Sequence, residues 1–207
     1  MSQVLFIKAN DRPAEQAVSV QMYEAFVKAY REQNPNDEII ELDLFEANLP
    51  YFGNTAITAL YKINQGFDLT AEEQQMADTV NSYLDQFLAA DKVMLAFPLW
   101  NYTAPAPVIT YLSYLAQAGK TFKYTAEGPV GLAGDKKVVL LSARGGVYST
   151  EPMSSFESAI RYVKANLALW GINPEEVIIE SHNQFPDRAG EIVEQGLAAT
   201  VQAAVKF

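Results

Sequence analysis

Five short segments that predict β-strands constrain the fold of this chain more than any other feature. They cover residues 4–7, 38–44, 91–97, 136–142 and 177–180. The first, third and fourth contain continuous apolar runs, which are typical of strands buried on both faces of a sheet. Stretches with helical periodicity separate the segments; the first carries Val18, Met22, Phe26 and Tyr30. Strands that alternate with helices predict a parallel sheet.

The alternation predicts an α/β chain of flavodoxin-like fold. Its five-stranded parallel sheet has the order 2-1-3-4-5, with helices on both faces. Hydrophobic residues make up 49% of the chain, which is enough to bury a sizeable core. The length of 207 residues predicts one domain that spans residues 1–207.

Punctuating residues predict where the helices and turns lie. Thr70 precedes two glutamates and predicts the cap of a long helix. Residues 107–118 predict a helix closed by Gly119, and shorter or later helices are expected near residues 57–63, 157–170 and 187–205. Glycines and a proline in residues 120–135 predict a hairpin or surface excursion.

Charge and composition exclude several classes of function. The net charge of −10 argues against nucleic-acid binding and against an anionic membrane surface. The chain has no cysteine and one histidine, His182, so we expect no disulfide and no metal site. The N-terminal residues do not resemble a signal peptide, and no apolar run is long enough to span a bilayer. We therefore expect a cytoplasmic location.

Three loops are expected to meet beyond the carboxyl ends of the strands, where open α/β sheets bind ligands. The first covers residues 9–19, at the start of a helix, and a helix N-terminus attracts phosphate. Its candidate donors are the Asn10 amide, the Ser19 hydroxyl and the main-chain N–H groups of Ala17 and Val18, with Arg12 adding charge. The alternative is an ordinary connecting loop with a helix cap.

The second loop is a proline-aromatic-amide segment that directly follows the third strand. An apolar face, an indole and an amide suit a flat heteroaromatic ring, and we interpret that ring as a flavin. The alternative is a buried aromatic turn that packs a strand against a helix. The candidate residues are Pro98, Leu99, Trp100, Asn101 and Tyr102.

The third loop contains two consecutive glycines, whose N–H groups can approach a ligand closely and form an anion-binding concavity. Such donors at the pyrimidine edge of a flavin favour its reduced form; the alternative is a tight turn that needs glycine for backbone reasons. The candidate cofactor-binding residues are Ser142, Arg144, Gly145 and Gly146. Candidate substrate-pocket residues are Phe122, Tyr124, Tyr148 and His182, for which packing roles are the alternative.

Taken in order, these segments resemble the FMN-dependent NADH-azoreductases of the flavodoxin-like quinone reductase superfamily. The resemblance covers nearly the whole chain. It rests on residues 4–9, 90–92, 98–102, 118–125 and 143–146 and on the terminal Lys206-Phe207. It implies an enzyme that binds FMN at a homodimer interface, with the three loops holding the phosphate, the ring and its pyrimidine edge. It also implies NADH as the electron donor, with NADPH left open.

The resemblance further implies ping-pong, two-electron reduction of quinones and reductive cleavage of aromatic azo compounds, with the chemistry carried by the flavin and no catalytic side chain. Ala9, Ala17 and Val18 stand where serines or other polar residues are usual in the family, so side-chain donors to the phosphate are fewer. A flavodoxin-like electron carrier and a flavin-free binding protein are the alternatives.

Overall fold

A twisted parallel sheet forms the centre of the computed structural model, which describes residues 1–207. The chain forms seven strands: β1 (Gln3–Lys8), β2 (Glu38–Asp43), β3 (Lys92–Pro98), β4 (Phe122–Thr125), β5 (Gly128–Gly131), β6 (Lys137–Arg144) and β7 (Glu175–Glu180). Five of them form one sheet in the order β2-β1-β3-β6-β7, and every neighbouring pair in it is parallel. This is the predicted order 2-1-3-4-5. The labels differ because the hairpin β4–β5 contributes two further strands.

Six α-helices cover both faces of the sheet, as predicted. They are α1 (Val18–Gln33), α2 (Asn54–Gln65), α3 (Ala71–Ala89), α4 (Ala106–Leu115), α5 (Ala159–Leu169) and α6 (Ala189–Lys206). None of these helices combines the length and the apolar character that crossing a bilayer requires.

The alternation of side chains along the strands divides the core into two layers. Val4 and Phe6 of β1 pack with α1 and α6 on one face. Leu5 and Ile7 pack with α3, α4 and α5 on the other face. Because both of their faces are covered, the three central strands β1, β3 and β6 carry long apolar runs. The edge strands β2 and β7 carry several glutamates and are more exposed.

The start of α3 and the end of α4 were both predicted from the sequence, with different outcomes. The Thr70 side chain accepts from Glu73 N–H while the Glu73 carboxylate accepts from Thr70 N–H, so the predicted cap is a complete capping box. The prediction for residues 107–118 was wrong at its end, because α4 stops at Leu115. The Thr121 hydroxyl donates to the freed Leu115 carbonyl at 2.7 Å, and Gly119, with a φ of 82°, forms the following turn.

The predicted hairpin lies against the end of α5. β4 and β5 pair antiparallel, and the Ala133 N–H that follows them donates to the Trp170 carbonyl at 3.0 Å. Phe122 is buried in the core while Tyr124, two residues further along β4, is 75% exposed. The two rings lie on the same face of β4 and pack edge-to-face at a centroid distance of 5.3 Å. The Phe122 ring is therefore covered by the core, while the Tyr124 ring packs on Phe122 and faces solvent.

Candidate functional site

Loops from four strands meet at the carboxyl edge of the sheet and are joined by main-chain hydrogen bonds. Ala9 N–H donates to the Ala96 carbonyl at 2.9 Å, Leu99 N–H to the Ala143 carbonyl at 2.9 Å, and Ser181 N–H to the Arg144 carbonyl at 3.1 Å. The three loops singled out in the sequence are thus adjacent, and a fourth, after β7, lies beside the third. Parallel strands end at a common edge, which explains this convergence.

A groove of about 750 Å³ runs along this edge. Its volume lies within the range of about 300–1,000 Å³ that small-molecule sites occupy. The candidate residues that line it are Asn10, Arg12, Ala17, Val18, Ser19, Pro98, Leu99, Trp100, Gly145 and His182. The groove therefore begins at the N-terminus of α1, passes the end of β3 and reaches the glycine loop, which we define as residues 145–149.

The first loop is fixed by its own polar side chains. Asn10 is buried, and its amide donates to Ser19 Oγ at 2.9 Å while its carbonyl oxygen accepts from Arg12 N–H at 3.0 Å. The Asn10 side chain thus shapes the loop, and the Ser19 hydroxyl keeps its own proton free to donate. Ala17, the N-cap residue of α1, supplies no side-chain cap. Its N–H donates to the Ala14 carbonyl at 3.3 Å and is therefore not the free donor that was predicted. The helix terminus at the groove offers the main-chain N–H groups of Val18 and Ser19 to an anion.

A tight turn follows β3. Trp100 N–H and Thr103 N–H each donate to the carbonyl of the other residue, at 2.9 and 3.0 Å. The two residues between them, Asn101 and Tyr102, both have positive φ, at 47° and 70°, as type I′ turns require. The turn points Pro98, Leu99 and Trp100 toward the groove, where they form an apolar edge.

Asn101 and Tyr102 do not line the groove. Asn101 is exposed, and the Tyr102 ring packs against Tyr148 and Phe156 at centroid distances of 6.3 and 5.4 Å. Neither Asn101 nor Tyr102 donates its N–H to another group of the chain. Their main-chain amides therefore stay available beside the groove although their side chains point elsewhere.

A side chain at the first position of the glycine loop would have to displace the Asn183 side chain, which also lines the groove. A Cβ at Gly145 would lie 2.5 Å from Asn183 Nδ2 and 3.1 Å from Asn183 Cβ. Gly145 and Gly146 donate their N–H groups to no other group of the chain. The loop thus presents two consecutive unpaired amides, as an anion-binding concavity does.

Three buried polar atoms without hydrogen-bond partners lie at the same edge of the sheet: Ser142 Oγ, Arg144 Nε and His182 Nδ1. Arg144 Nε lies 3.3 Å from Glu180 Oε2, which is ion-pair distance without hydrogen-bond geometry. Burial lowers the pKa of the His182 imidazole below its ordinary value. Buried polar atoms are seldom left unpaired. Of these three residues only His182 lines the groove, so its Nδ1 is the atom that supports a polar ligand there.

The other substrate-pocket candidates are placed outside the groove. Phe122 is 6% exposed and belongs to the core, Tyr124 extends into solvent, and Tyr148 packs against Tyr102.

Three further cofactor-binding candidates also lie outside the groove. The side chains of Ser142 and Arg144 lie on the sheet face covered by α3, α4 and α5, because they alternate with Ala143, which faces the groove. Gly146 directly follows Gly145 but does not itself line the groove.

Several groove residues were not predicted. They are Glu15, Gln16, Gln21 and Asn183, together with the start of α6 from Ala189 to Leu197. Asn183 follows a predicted strand, so the common edge of parallel strands could have indicated it. The residues of α6 carried no such signal, because their position depends on how α6 packs against α1.

The arrangement suits a long, flat, anionic ligand. The N-terminus of α1 fits a phosphate, the Pro98–Trp100 edge fits an apolar ring face, and the Gly145 and Gly146 amides fit hydrogen-bond acceptors on a ring edge. These are the features of FMN, and the residues present fit it.

Comparison with known proteins agrees with the fold and with the ligand that the groove fits. A family model described as having a flavodoxin-like fold matches residues 2–204. The chain is 64% identical over 208 residues to a protein of Bacillus cereus (strain ATCC 10987 / NRS 248) named FMN-dependent NADH:quinone oxidoreductase 2, and the match covers 100% of both chains.

Two solved structures are also similar. An azoreductase from Bacillus anthracis str. Sterne matches with a TM-score of 0.98 and 55% identity, over 100% of both chains. An FMN-dependent NADH-azoreductase from Bacillus anthracis str. Ames Ancestor, in complex with FMN, matches with a TM-score of 0.90 and 26% identity. That match covers 100% of this chain and 99% of the other.

Proposed function

The chain belongs to the flavodoxin-like family of FMN-dependent NADH:quinone oxidoreductases and azoreductases, and we propose that it is such an enzyme. It binds FMN, takes electrons from NADH, and reduces quinones and aromatic azo compounds. The observation that carries this proposal is the groove that joins an uncapped helix N-terminus to Gly145, the first of two consecutive glycines with unpaired amides.

Each part of the groove binds or supports a different part of FMN. Residues 1–207 act as one FMN-binding domain. The N-terminus of α1 and the Ser19 hydroxyl hold the phosphate, and Asn10 keeps the loop in shape. The Pro98–Trp100 edge excludes water from one side of the ring. The Gly145 and Gly146 amides donate to its polar edge.

No acid or base side chain is assigned to the reaction. Bound FMN supplies the chemistry, because its ring accepts a hydride from the nicotinamide and returns two electrons to the acceptor. The protein binds the FMN, orients its ring and shields the ring from water. His182 lines the groove, and burial lowers the pKa of its imidazole below the ordinary value. Burial thus favours the neutral ring, and its part is to shape the pocket rather than to add a charge.

The alternatives are less well supported. A flavodoxin-like electron carrier and a flavin-free binding protein share the fold, but relatives with 62–64% identity over the full length are named as oxidoreductases. The paired glycine amides also argue against a flavin-free role, since nothing within the chain occupies them.

We include a homodimer and a cytoplasmic location in the proposal. Tyr61 and Phe67 are each 58% exposed and Tyr124 is 75% exposed. Exposed aromatic rings of this number are typical of an interface. Two further aromatic residues of the same segments, Phe52 and Phe122, are packed within the chain. Tyr124 is therefore the hairpin residue best placed to reach the pocket of a partner.

The test is spectroscopic. Purified protein mixed with excess FMN and then desalted should retain a flavin spectrum. It should bleach on anaerobic addition of NADH and recover on addition of a quinone. Riboflavin, which lacks the phosphate, serves as the control ligand and should bind more weakly. Protein that stays colourless contradicts the proposal, and protein that binds FMN but reacts with neither NADH nor quinone supports the electron carrier or a binding role.

A further inference from the structure

Glu180, the last residue of β7, contacts the glycine loop at two points and contacts Arg144, the residue that precedes the loop, at a third. Its Oε2 accepts from Tyr148 N–H at 2.9 Å and lies 3.3 Å from Arg144 Nε. Its Oε1 accepts from the Ser149 hydroxyl. The Glu180 side chain is 20% exposed, so these contacts are shielded from water in large part. One carboxylate thus joins the residue before the glycine loop to the end of the loop.

The segment after Glu180 occupies most of the remaining polar groups of the loop. The Arg144 and Gly146 carbonyls accept from Ser181 N–H, and the Gly145 carbonyl accepts from the N–H groups of Asn183 and Gln184. Val147 N–H donates to Gln184 Oε1 at 2.9 Å. From Gly145 to Tyr148, the N–H groups left without a partner are those of Gly145 and Gly146. The contacts around Glu180 therefore select which two amides face a ligand.

Glu180 also partly neutralises the positive charge of Arg144 beside those amides. The Arg144 side chain is 8% exposed, and Glu180 is the one acidic residue that forms an ion pair with it. A buried charge acts on its surroundings more strongly than an exposed one, because little water screens it. The carboxylate thus offsets the positive charge of a guanidinium whose own main chain leads directly into Gly145.

We propose that Glu180 is a positioning residue that holds the Gly145 and Gly146 amides in place. It also offsets the positive charge of the buried Arg144 guanidinium, which points away from the groove but lies beside the loop that borders it. This inference rests on the proposed function. A positive charge near the polar edge of a flavin favours its electron-rich, reduced form over the oxidised form. Glu180 thereby keeps bound FMN a better electron donor than an unopposed Arg144 would allow.

Two substitutions separate the two roles. Glu180→Gln keeps an oxygen that accepts from Tyr148 N–H but removes the negative charge. Glu180→Ala removes the acceptor as well. Glu176→Gln is the matched control, because Glu176 lies on the same strand and pairs with Lys164 on the exposed surface, away from the loop.

The experiment measures the affinity for oxidised FMN by fluorescence and the reduction potential of bound FMN by redox titration. For E180Q we expect the affinity for reduced FMN to rise about tenfold relative to that for oxidised FMN. For a two-electron couple, this raises the potential by about 30 mV. E176Q should match the wild type. For E180A we expect weaker binding of oxidised FMN and, in protein without FMN, faster hydrogen exchange at Tyr148 N–H.

The inference is overturned if E180Q and wild type have the same potential within a twofold change in the affinity ratio, since a purely structural role would leave that ratio unchanged. It is equally overturned if E180Q fails to fold, because Glu180 would then serve the stability of the whole chain. Should E180A not fold, E180Q alone decides. If wild-type protein takes up no FMN, the proposed function fails instead; the exchange rate at Tyr148 in the FMN-free variants still tests the positioning role.

Discussion

At the scale of single residues, His182 is informative because it is the only histidine in the chain. Its Nδ1 is buried without a partner, and burial lowers its pKa. No salt bridge to a carboxylate offsets this effect. The imidazole therefore reports directly on the dielectric environment of the groove.

We expect the imidazole resonances of His182 to titrate with a midpoint below 6.5, the ordinary value for histidine, in an NMR titration of the FMN-free protein. A single histidine gives a single set of signals, so assignment is direct. A midpoint at or above 6.5 would contradict the buried position of the ring.

The free energy of unfolding should depend on pH because the pKa of His182 is lower in the folded chain. The folded chain binds the His182 proton more weakly than the unfolded chain, so this residue makes stability rise with pH below about 6.5 and the contribution is lost as pH falls. His182→Gln should flatten that part of the dependence when urea unfolding is compared at pH 5, 6 and 7.

At the scale of secondary-structure elements, the hairpin β4–β5 is attached through an unusually close approach of two backbones. A Cβ at Gly131 would lie 2.2 Å from Gly171 N and 2.2 Å from the Trp170 carbonyl carbon. Gly171 itself has a φ of 86°, which favours glycine. The hairpin can therefore lie flat on the end of α5 only when both contact positions lack a side chain.

Gly131→Ala should destabilise the protein by about 1–3 kcal/mol, the usual cost of overpacking, because backbone atoms cannot move aside as a side chain can. Val130→Ala on the same strand is the control. Val130 is 44% exposed, and an exposed substitution should stay within about 0.5 kcal/mol. Chemical denaturation of both variants checks the difference, and equal stabilities would show that the hairpin shifts freely on α5.

At the scale of the whole molecule, exposed aromatic residues concentrate on the segment around α2. Tyr51 is 86% exposed, while Tyr61 and Phe67 are 58% exposed each and pack against each other at 6.4 Å. We call Tyr51, Tyr61 and Phe67 the aromatic face. A chain with a net charge of −10 is repelled by its own copies at long range, so association requires apolar contacts of this kind.

The double variant Tyr61→Asp with Phe67→Asp should be a monomer of 22.9 kDa in light scattering at micromolar concentration, whereas wild type should have twice that mass. Two carboxylates on the aromatic face add repulsion and remove apolar area that the interface would bury. Val201→Asp on α6, at a position 39% exposed, adds charge elsewhere and should leave the dimer intact. A wild-type monomer would contradict the proposed assembly.

Much of the fold could be predicted from local patterns. Apolar runs indicated the five sheet strands, Thr70 and Glu73 indicated a capping box, and glycines indicated the hairpin. Each signal depends on residues within one turn or one strand. The end of α4 was not predictable in this way, because Gly119 suggested a cap while the Thr121 hydroxyl ends the helix earlier.

Part of the candidate site could be predicted for a related reason. Loops that follow parallel strands meet at one edge, so strand prediction alone brought residues 9–19, 98–102 and 142–146 together. The direction in which a side chain points was harder to predict from the sequence. Tyr102 and Arg144 lie in predicted loops, yet the positive φ of the turn and the alternation along β6 point them away from the groove.

The sequence by itself determined the order of elements, the parallel sheet and the loops that carry the site, because these follow from periodicity and punctuation between near neighbours. Tertiary structure alone decided that α6 closes the groove, that Glu180 faces Arg144 from the adjacent strand, and that the β7 loop leaves two glycine amides unpaired. Those features depend on strand register and helix packing between residues 32 or more positions apart, and no local pattern encodes contacts between residues so far apart in sequence.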